Sequence, residues 1–152
     1  MGISLPHWPP RTVGVLTTVD SDGPHAIPVS APVRVCHDTV LLSLHQARGS
    51  LARIRVRPEV ALLVLAAGDV ACTARGTAQV VAEQMPGAPD YAAVEIAVHA
   101  VDDHRQAAFT VSAGAERSWI SDYEQKALAL RVQTLRQLAV TRIRCRVCAQ
   151  GA

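Results

Sequence analysis

The fold of this chain is decided by residues 13–81, a segment that opens with the sequence VGVLTTVDSDGPHAIPV. Residues 13–19 are rich in valine and threonine and predict a β-strand. Residues 20–23 (DSDG) carry a turn signal, in which Gly23 supplies the positive φ that a tight turn often needs. The segment therefore begins with a strand that turns back into the next one.

Two further strands are predicted after this turn. Residues 25–35 form an extended run that is interrupted by Pro28 and Pro32. Proline cannot donate to a strand ladder, so these positions predict an edge or a bulge. A turn at His37 and Asp38 leads into the next strand, at residues 40–45.

A short basic helix is predicted at residues 49–57, where the period of the apolar residues changes. Leu51 and Ile54 are three apart on one helix face, and Arg53 and Arg57 are four apart on another. Pro58 ends the helix, because the residue before a proline is pushed out of the helical region.

Two long strands complete the segment. Residues 59–66 are almost continuously apolar, which predicts a strand buried on both faces. Residues 70–82 predict the next strand, after a turn at Gly68 and Asp69. Gly76, inside that strand, indicates a bulge or the close approach of a ligand.

The rest of the chain is predicted less regularly. Alternation at residues 94–99 favours a strand, and residues 109–112 allow another. Ser121 and Glu124 form a capping box, which predicts the start of the longest helix. The apolar residues of that helix follow helical spacing at Leu128, Val132, Leu135 and Leu138.

The last predicted element is a strand at residues 141–148. Its alternation puts three arginines (Arg142, Arg144 and Arg146) on one face, with Ile143 and Cys145 buried opposite. Residues three apart in a strand point to opposite faces, so Cys145 and Cys148 are not expected to ligate one metal. We therefore predict no metal site, since a lone C-x-x-C also lacks the second ligand pair of a structural zinc site.

Composition narrows the class of protein. The chain has 152 residues, 49% hydrophobic and 18% charged, which predicts one globular domain over residues 1–152. Strands outnumber helices and the helices do not alternate with them, which favours a mainly β, α+β fold with an antiparallel barrel. The longest apolar run is too short to cross a membrane. The proline-rich first ten residues show no secretory leader, so we expect a cytoplasmic protein.

Three stretches resemble the flavin-binding split barrel of the pyridoxamine 5'-phosphate oxidase-like family. They are the opening hairpin at residues 15–29, the strand-helix-strand at residues 43–63 that contains RGSLARIRVRPEVAL, and RGTA at residues 75–78. Together they cover about half of the chain. The resemblance implies a homodimer that holds FMN, or the deazaflavin F420, at its interface for hydride transfer.

The resemblance also implies which residues bind the cofactor. The ring is expected along two strands, at Ala26, Ile27, Pro28 and Val29, and at Leu42, Ser43 and Leu44. The phosphate is expected at the start of the short helix, on Arg48 and Ser50, with Ser43 and Arg53 nearby. Guanidinium groups and helix N-terminal amides are both favourable phosphate donors. Many relatives have lysine at the position of Ser50, and Arg53 is expected to supply that charge here.

The leading hypothesis is an FMN-dependent oxidoreductase that acts on a small organic molecule, with F420 as the alternative cofactor. The sequence assigns no catalytic residue. A second hypothesis is a non-catalytic barrel that binds flavin or haem, and haem would need an axial ligand such as His25, His45 or His99. A third, a nucleic-acid-binding barrel, is disfavoured because the strands next to the basic helix lack base-stacking aromatics.

Overall fold

The computed structural model describes residues 3–150, with side chains described for residues 3–143. This part of the chain forms seven strands and two helices. In chain order they are β1 (Val13–Asp20), β2 (Gly23–Ser30), β3 (Val33–Cys36), β4 (Thr39–His45), α1 (Gly49–Val56), β5 (Glu59–Ala66), β6 (Val70–Ala82), β7 (Tyr91–Asp103) and α2 (Asp122–Gln150).

The strands form one antiparallel sheet in the order β2-β1-β5-β6-β7-β4-β3. β2 and β3 follow each other in the chain, yet they stand at opposite edges of the sheet. Ala31 and Pro32 link them, and Ala31 has a positive φ of 49°. Because this link is so short, it draws the two edges together, and β2 lies against β4. The sheet curls into a barrel that stays split at this point, as the sequence predicted.

The interior of the barrel is aliphatic, as the low aromatic content requires. Alternate residues of the strands point inward and are fully buried, and α1 adds two apolar side chains from one end. Burial of each large side chain contributes about 1.5–3 kcal/mol. The largest fully buried side chains of this core are Leu5, Leu16, Leu42, Leu51, Leu62, Ile96, Val40, Val64 and Val94.

A second, smaller core lies on the outer face of β4 and β7, where α2 packs. Leu135 and Ala139 of the helix meet Leu41 of β4 and Ala93 of β7. The predicted helix start is confirmed, since Ser121 Oγ accepts a 3.3 Å hydrogen bond from the backbone N–H of Glu124. Neither helix has the length and apolarity needed to cross a membrane within the part of the chain described.

The predicted strand at residues 141–148 is wrong, because α2 continues through Gln150. The alternation there contains apolar residues that a helix accommodates equally well, and a helix already running against the sheet continues at little cost. Ile143 is 40% exposed rather than buried. Residues two apart do not share a helix face, so the proposed arginine face does not form.

The change from strand to helix also removes the geometric argument about the two cysteines of the C-x-x-C. Residues three apart are neighbours on a helix surface. The side chains of Cys145 and Cys148 lie outside the described residues, and so do those of Arg144 and Arg146.

Other predictions about the strands need smaller corrections. The single run at residues 25–35 is two strands, separated by the link at Ala31. Residues 109–112 form no strand, although the Val111 carbonyl accepts from the Asp69 N–H at 3.0 Å and the Val111 N–H donates to Asp69 Oδ1 at 2.9 Å. β5 is fully buried on one face alone, because Leu65 on the other face is 43% exposed. The predicted bulge at Gly76 is confirmed, since the β6–β7 register shifts between Arg75 and Gly76.

Candidate functional site

The split in the barrel leaves backbone groups of two strands without ladder partners. β2 is an edge strand that pairs with β1 alone. β4 pairs with β7 along residues 39–45, whereas on its other side β3 covers residues 39–41 alone. The outer edge of β2 and the upper half of β4 therefore face the same gap. Edge amides and carbonyls are the groups that recognise the polar rim of a flat heterocycle.

The residues predicted to hold a flavin ring lie on both sides of this gap. On β2, Ala26 and Pro28 are exposed, while Val29 is buried in the core. On β4, Leu42 and Leu44 are core residues and Ser43 between them is half-buried. Ile27 packs against the same core. The fold thus brings the two predicted strands together. The groups that they present to the gap are backbone N–H and C=O groups rather than polar side chains.

A pocket of about 450 Å³ lies between the β1–β2 turn and α1. Its lining includes Gly49 at the helix start and two basic residues of the helix, Arg53 and Arg57. The Arg53 guanidinium folds back toward Gly49, so that a Cβ built at Gly49 would lie 3.0 Å from Arg53 Nη1. A cationic group therefore stands beside the positive end of the helix, an arrangement that suits a phosphate.

Arg53 already has partners within the protein. It is 20% exposed, its Nε donates to Thr18 Oγ1 at 2.9 Å, and its Nη1 lies 3.6 Å from Asp20 Oδ2. The pKa of Asp20 is lowered, first by the backbone N–H of Asp22 and then by His25, with Arg53 adding a smaller effect. Asp20 is therefore ionised at neutral pH, and it offsets part of the Arg53 charge.

The other two predicted phosphate ligands sit differently. Arg48 is the exposed residue at the N-cap of α1, and its side chain makes no capping hydrogen bond. Ser50 is in the first turn but is 1% exposed, so its side chain is buried beneath the helix. A ligand at the helix start would meet the Arg48 side chain and the backbone of residues 49 and 50, rather than the Ser50 hydroxyl.

The histidines near the split are hydrogen-bonded. His25 Nε2 lies 2.9 Å from Asp20 Oδ2. His45 Nδ1 accepts from the backbone N–H of Ala47 at 3.1 Å, and its ring meets Tyr91 edge-on. These contacts give both residues a structural role in the turns that flank the split.

Potential metal ligands gather in the β3–β4 turn. One ligand atom from each of Cys36, His37 and Asp38 lies within 4.8 Å of the others. The sequence predicted no metal here. Asp38 Oδ1 accepts hydrogen bonds from Cys36 Sγ at 3.0 Å and from Thr39 Oγ1 at 2.9 Å. The carboxylate therefore already serves to order this turn.

Another cavity, of about 590 Å³, lies at the other end of β2, where the sequence predicted no site. It is lined by α2, the segment 104–121 and the link at Ala31. Trp119 is 36% exposed at its rim. Arg117 in an irregular segment carries no periodic signal, so its approach to Ser30 of β2 could be known from the tertiary structure alone.

The fold of this chain is a split barrel that several solved structures share. The sequence matches no protein-family model and no curated protein. The similarity to solved structures is in the fold, with identities of 20% or less among those compared below.

Three solved structures illustrate the similarity. A protein from Listeria innocua, provisionally named a pyridoxamine 5'-phosphate oxidase, has a TM-score of 0.52 and 19% identity, covering 62% of this chain and 89% of its own. General stress protein 26 from Bacillus anthracis has a TM-score of 0.51 and 18% identity, over 60% and 82% of the two chains. A structure described as an F420 reductase has a TM-score of 0.51 and 16% identity, over 62% and 91%.

Proposed function

We propose that this protein is a flavin-binding oxidoreductase that holds FMN in the split between β2 and β4 and acts on a small organic molecule. The observation that carries the proposal is the split itself. It opposes the unpaired edge of β2 to the half of β4 that β3 does not cover. The short α1 helix then supplies a basic N-terminus close to the β1–β2 turn.

The strand backbone and the basic helix would have separate roles in binding the cofactor. Backbone N–H and C=O groups at Ala26–Val29 and at Leu42–Leu44 would hold the polar edge of the ring, and the apolar side chains behind them would keep water away. Arg48 and Arg53 would hold the phosphate, with the first amides of α1 as further donors. The bound flavin would supply the hydride chemistry, and the protein would bind and orient.

F420 is the alternative cofactor. One of the similar structures is described as an F420 reductase. Both cofactors combine a flat tricyclic ring with a phosphate-bearing chain, so the split and the basic helix suit either. We propose FMN as the more favoured of the two cofactors, and a cytoplasmic location, as the sequence predicts.

The first test is spectroscopic. The purified protein, or the protein after incubation with FMN and removal of free ligand, is expected to show the absorption bands of a bound flavin with a shifted shape. F420 is titrated in the same way. A protein that retains neither cofactor after desalting would contradict the proposal, and a Soret band would support the haem-binding alternative instead.

A homodimer is part of the proposal. The outward face of β5 carries three apolar residues: Ala61 and Leu63 are half-buried and Leu65 is 43% exposed. The apolar sequence of β5 predicted burial on both faces, and the barrel core covers one of them. A second copy of the chain, related by a two-fold axis, would cover the other.

Light scattering tests the dimer. At micromolar concentration the protein is expected to have twice the mass of one chain, because an uncovered apolar strand face favours association. Leu65→Glu is expected to shift the mass toward that of the monomer, while Leu130→Glu, at an exposed leucine of α2, should leave it unchanged. A monomeric parent protein would contradict the proposed assembly.

A further inference from the structure

The cavity lined by α2, the segment 104–121 and the link at Ala31 combines an apolar floor with charged and amide side chains. Its volume is about 590 Å³, within the usual range for small-molecule sites. Buried Ala31 and Leu128 and half-buried Val132 form the floor, and Trp119 stands at the rim. A flat apolar body of one or two rings would fit such a space and exclude water from the floor.

Three arginines from separate parts of the chain converge on this cavity. Arg11 precedes β1, Arg117 belongs to the segment 104–121, and Arg136 lies on α2. Among the described side chains, no carboxylate lies within 4.0 Å of any of the three guanidinium groups. Glu116 also lines the cavity, so the local balance still favours positive charge.

Arg117 makes two contacts within the protein. Its Nη1 donates to Ser30 Oγ at the end of β2, and its Cζ lies 5.4 Å from the centre of the Trp119 ring. The two contacts fix the guanidinium at the edge of the cavity. They leave its remaining N–H donors for another partner, since a guanidinium has five.

Neighbouring positive charges repel the guanidinium of Arg117. The pKa of Arg117 is lowered, first by desolvation and then by the positive charges of Arg11 and Arg131. Arg131 stands close by with its guanidinium 3.9 Å from the centre of the Tyr91 ring. An anion in the cavity would relieve this repulsion and would gain from the reduced solvation.

We propose that this cavity binds a small organic anion: a carboxylate on a flat apolar body. The carboxylate pairs with Arg117, with Arg11 and Arg136 as further positive charges, and the body lies on Leu128 and Val132 beside Trp119. The site is at the opposite end of β2 from α1, roughly 20 Å away at the rise of an extended strand. It is separate from the proposed phosphate site and does not depend on a bound flavin.

The test uses the full chain without added flavin and two probes of nearly the same shape. Calorimetric titration with 2-naphthoate is compared with titration by the neutral 2-naphthamide. A hydrogen bond to a charged group is worth enough to give about a ten-fold or larger difference in affinity. The naphthoate is expected to bind at least ten-fold more tightly. Equal affinities, or no binding of naphthoate at millimolar concentration, would overturn the proposal.

Substitutions test whether naphthoate binds in this cavity. Arg117→Ala is expected to weaken naphthoate about ten-fold and to leave naphthamide unchanged, and Arg117→Lys should recover part of the loss. The control is Arg75→Ala, which removes an exposed arginine that is paired with Asp102 at 2.7 Å far from the cavity. Arg48→Ala tests the α1 site, and it should not affect naphthoate. If Arg117→Ala binds naphthoate like the parent, or if Arg48→Ala weakens it equally, the cavity is not the site.

Discussion

Replacing Arg48 by alanine is expected to weaken FMN binding by about one to two orders of magnitude, because one charge-assisted hydrogen bond to phosphate is lost. Arg48 is the cleanest probe of the proposed phosphate site. It is exposed at the N-cap of α1 and makes no capping hydrogen bond, so its removal should leave the fold intact. Arg53 is less suitable, because it also bonds Thr18 and Asp20.

The same helix offers a matched control. Arg55 is exposed, and its charge is already paired with Glu83 at 2.6 Å. Arg55→Ala should therefore bind FMN like the parent. Riboflavin, which has the ring without the phosphate, should bind the parent more weakly than FMN does. Its affinity should not change in Arg48→Ala. If Arg48→Ala keeps the affinity for FMN, or if the parent prefers riboflavin, the basic helix is a solvated surface and the phosphate site is wrong.

Gly76→Ala is expected to destabilise the fold by about 3 kcal/mol or more. A Cβ at this position would lie 2.3 Å from the carbonyl oxygen of Ala97 and 2.9 Å from Ile96 Cγ2. The carbonyl belongs to the neighbouring strand, β7, so it can move away only if the ladder between β6 and β7 shifts. The measurement is the free energy of unfolding in urea, with far-ultraviolet circular dichroism to check the folded state.

A second glycine in a strand provides the comparison. At Gly14 in β1 a Cβ would lie 2.9 Å from Leu62 Cδ1, the end of a flexible side chain. Leu62 can change its rotamer, so Gly14→Ala should cost no more than about 1.5 kcal/mol. If the two variants lose the same free energy of unfolding, then crowding against the β7 backbone is not what requires glycine at position 76.

The sequence predicted the elements of the barrel well where local signals were strong. β5 and β6 have the predicted bounds, and α1 ends one residue earlier than predicted. Alternation, turn glycines and the proline after the helix are all local, and nothing elsewhere in the chain overrides them. The predicted C-terminal strand is wrong because a short alternating pattern also fits a helix. The packing of Leu135 and Ala139 against the sheet favours the helix.

The candidate site divides in the same way. The sequence, through its resemblance to split-barrel proteins, pointed to residues 26–29 and 42–44, and the fold brings their two strands together at the split. It did not show that Ser50 is buried or that Arg53 is paired with Asp20, since both depend on how α1 docks on the β1–β2 turn.

By itself, then, the sequence determined an aliphatic antiparallel barrel with a basic helix between β4 and β5, because strand alternation, turn chemistry and helix spacing are encoded within a few residues of each position. The tertiary structure alone decided that β2 and β3 stand at opposite edges of the sheet. It also decided that Arg11, Arg117 and Arg136 meet at one cavity. The cavity joins Arg11 to two residues more than a hundred positions further along the chain. The cause of both placements is how the sheet curls and where α2 and the segment 104–121 pack against it.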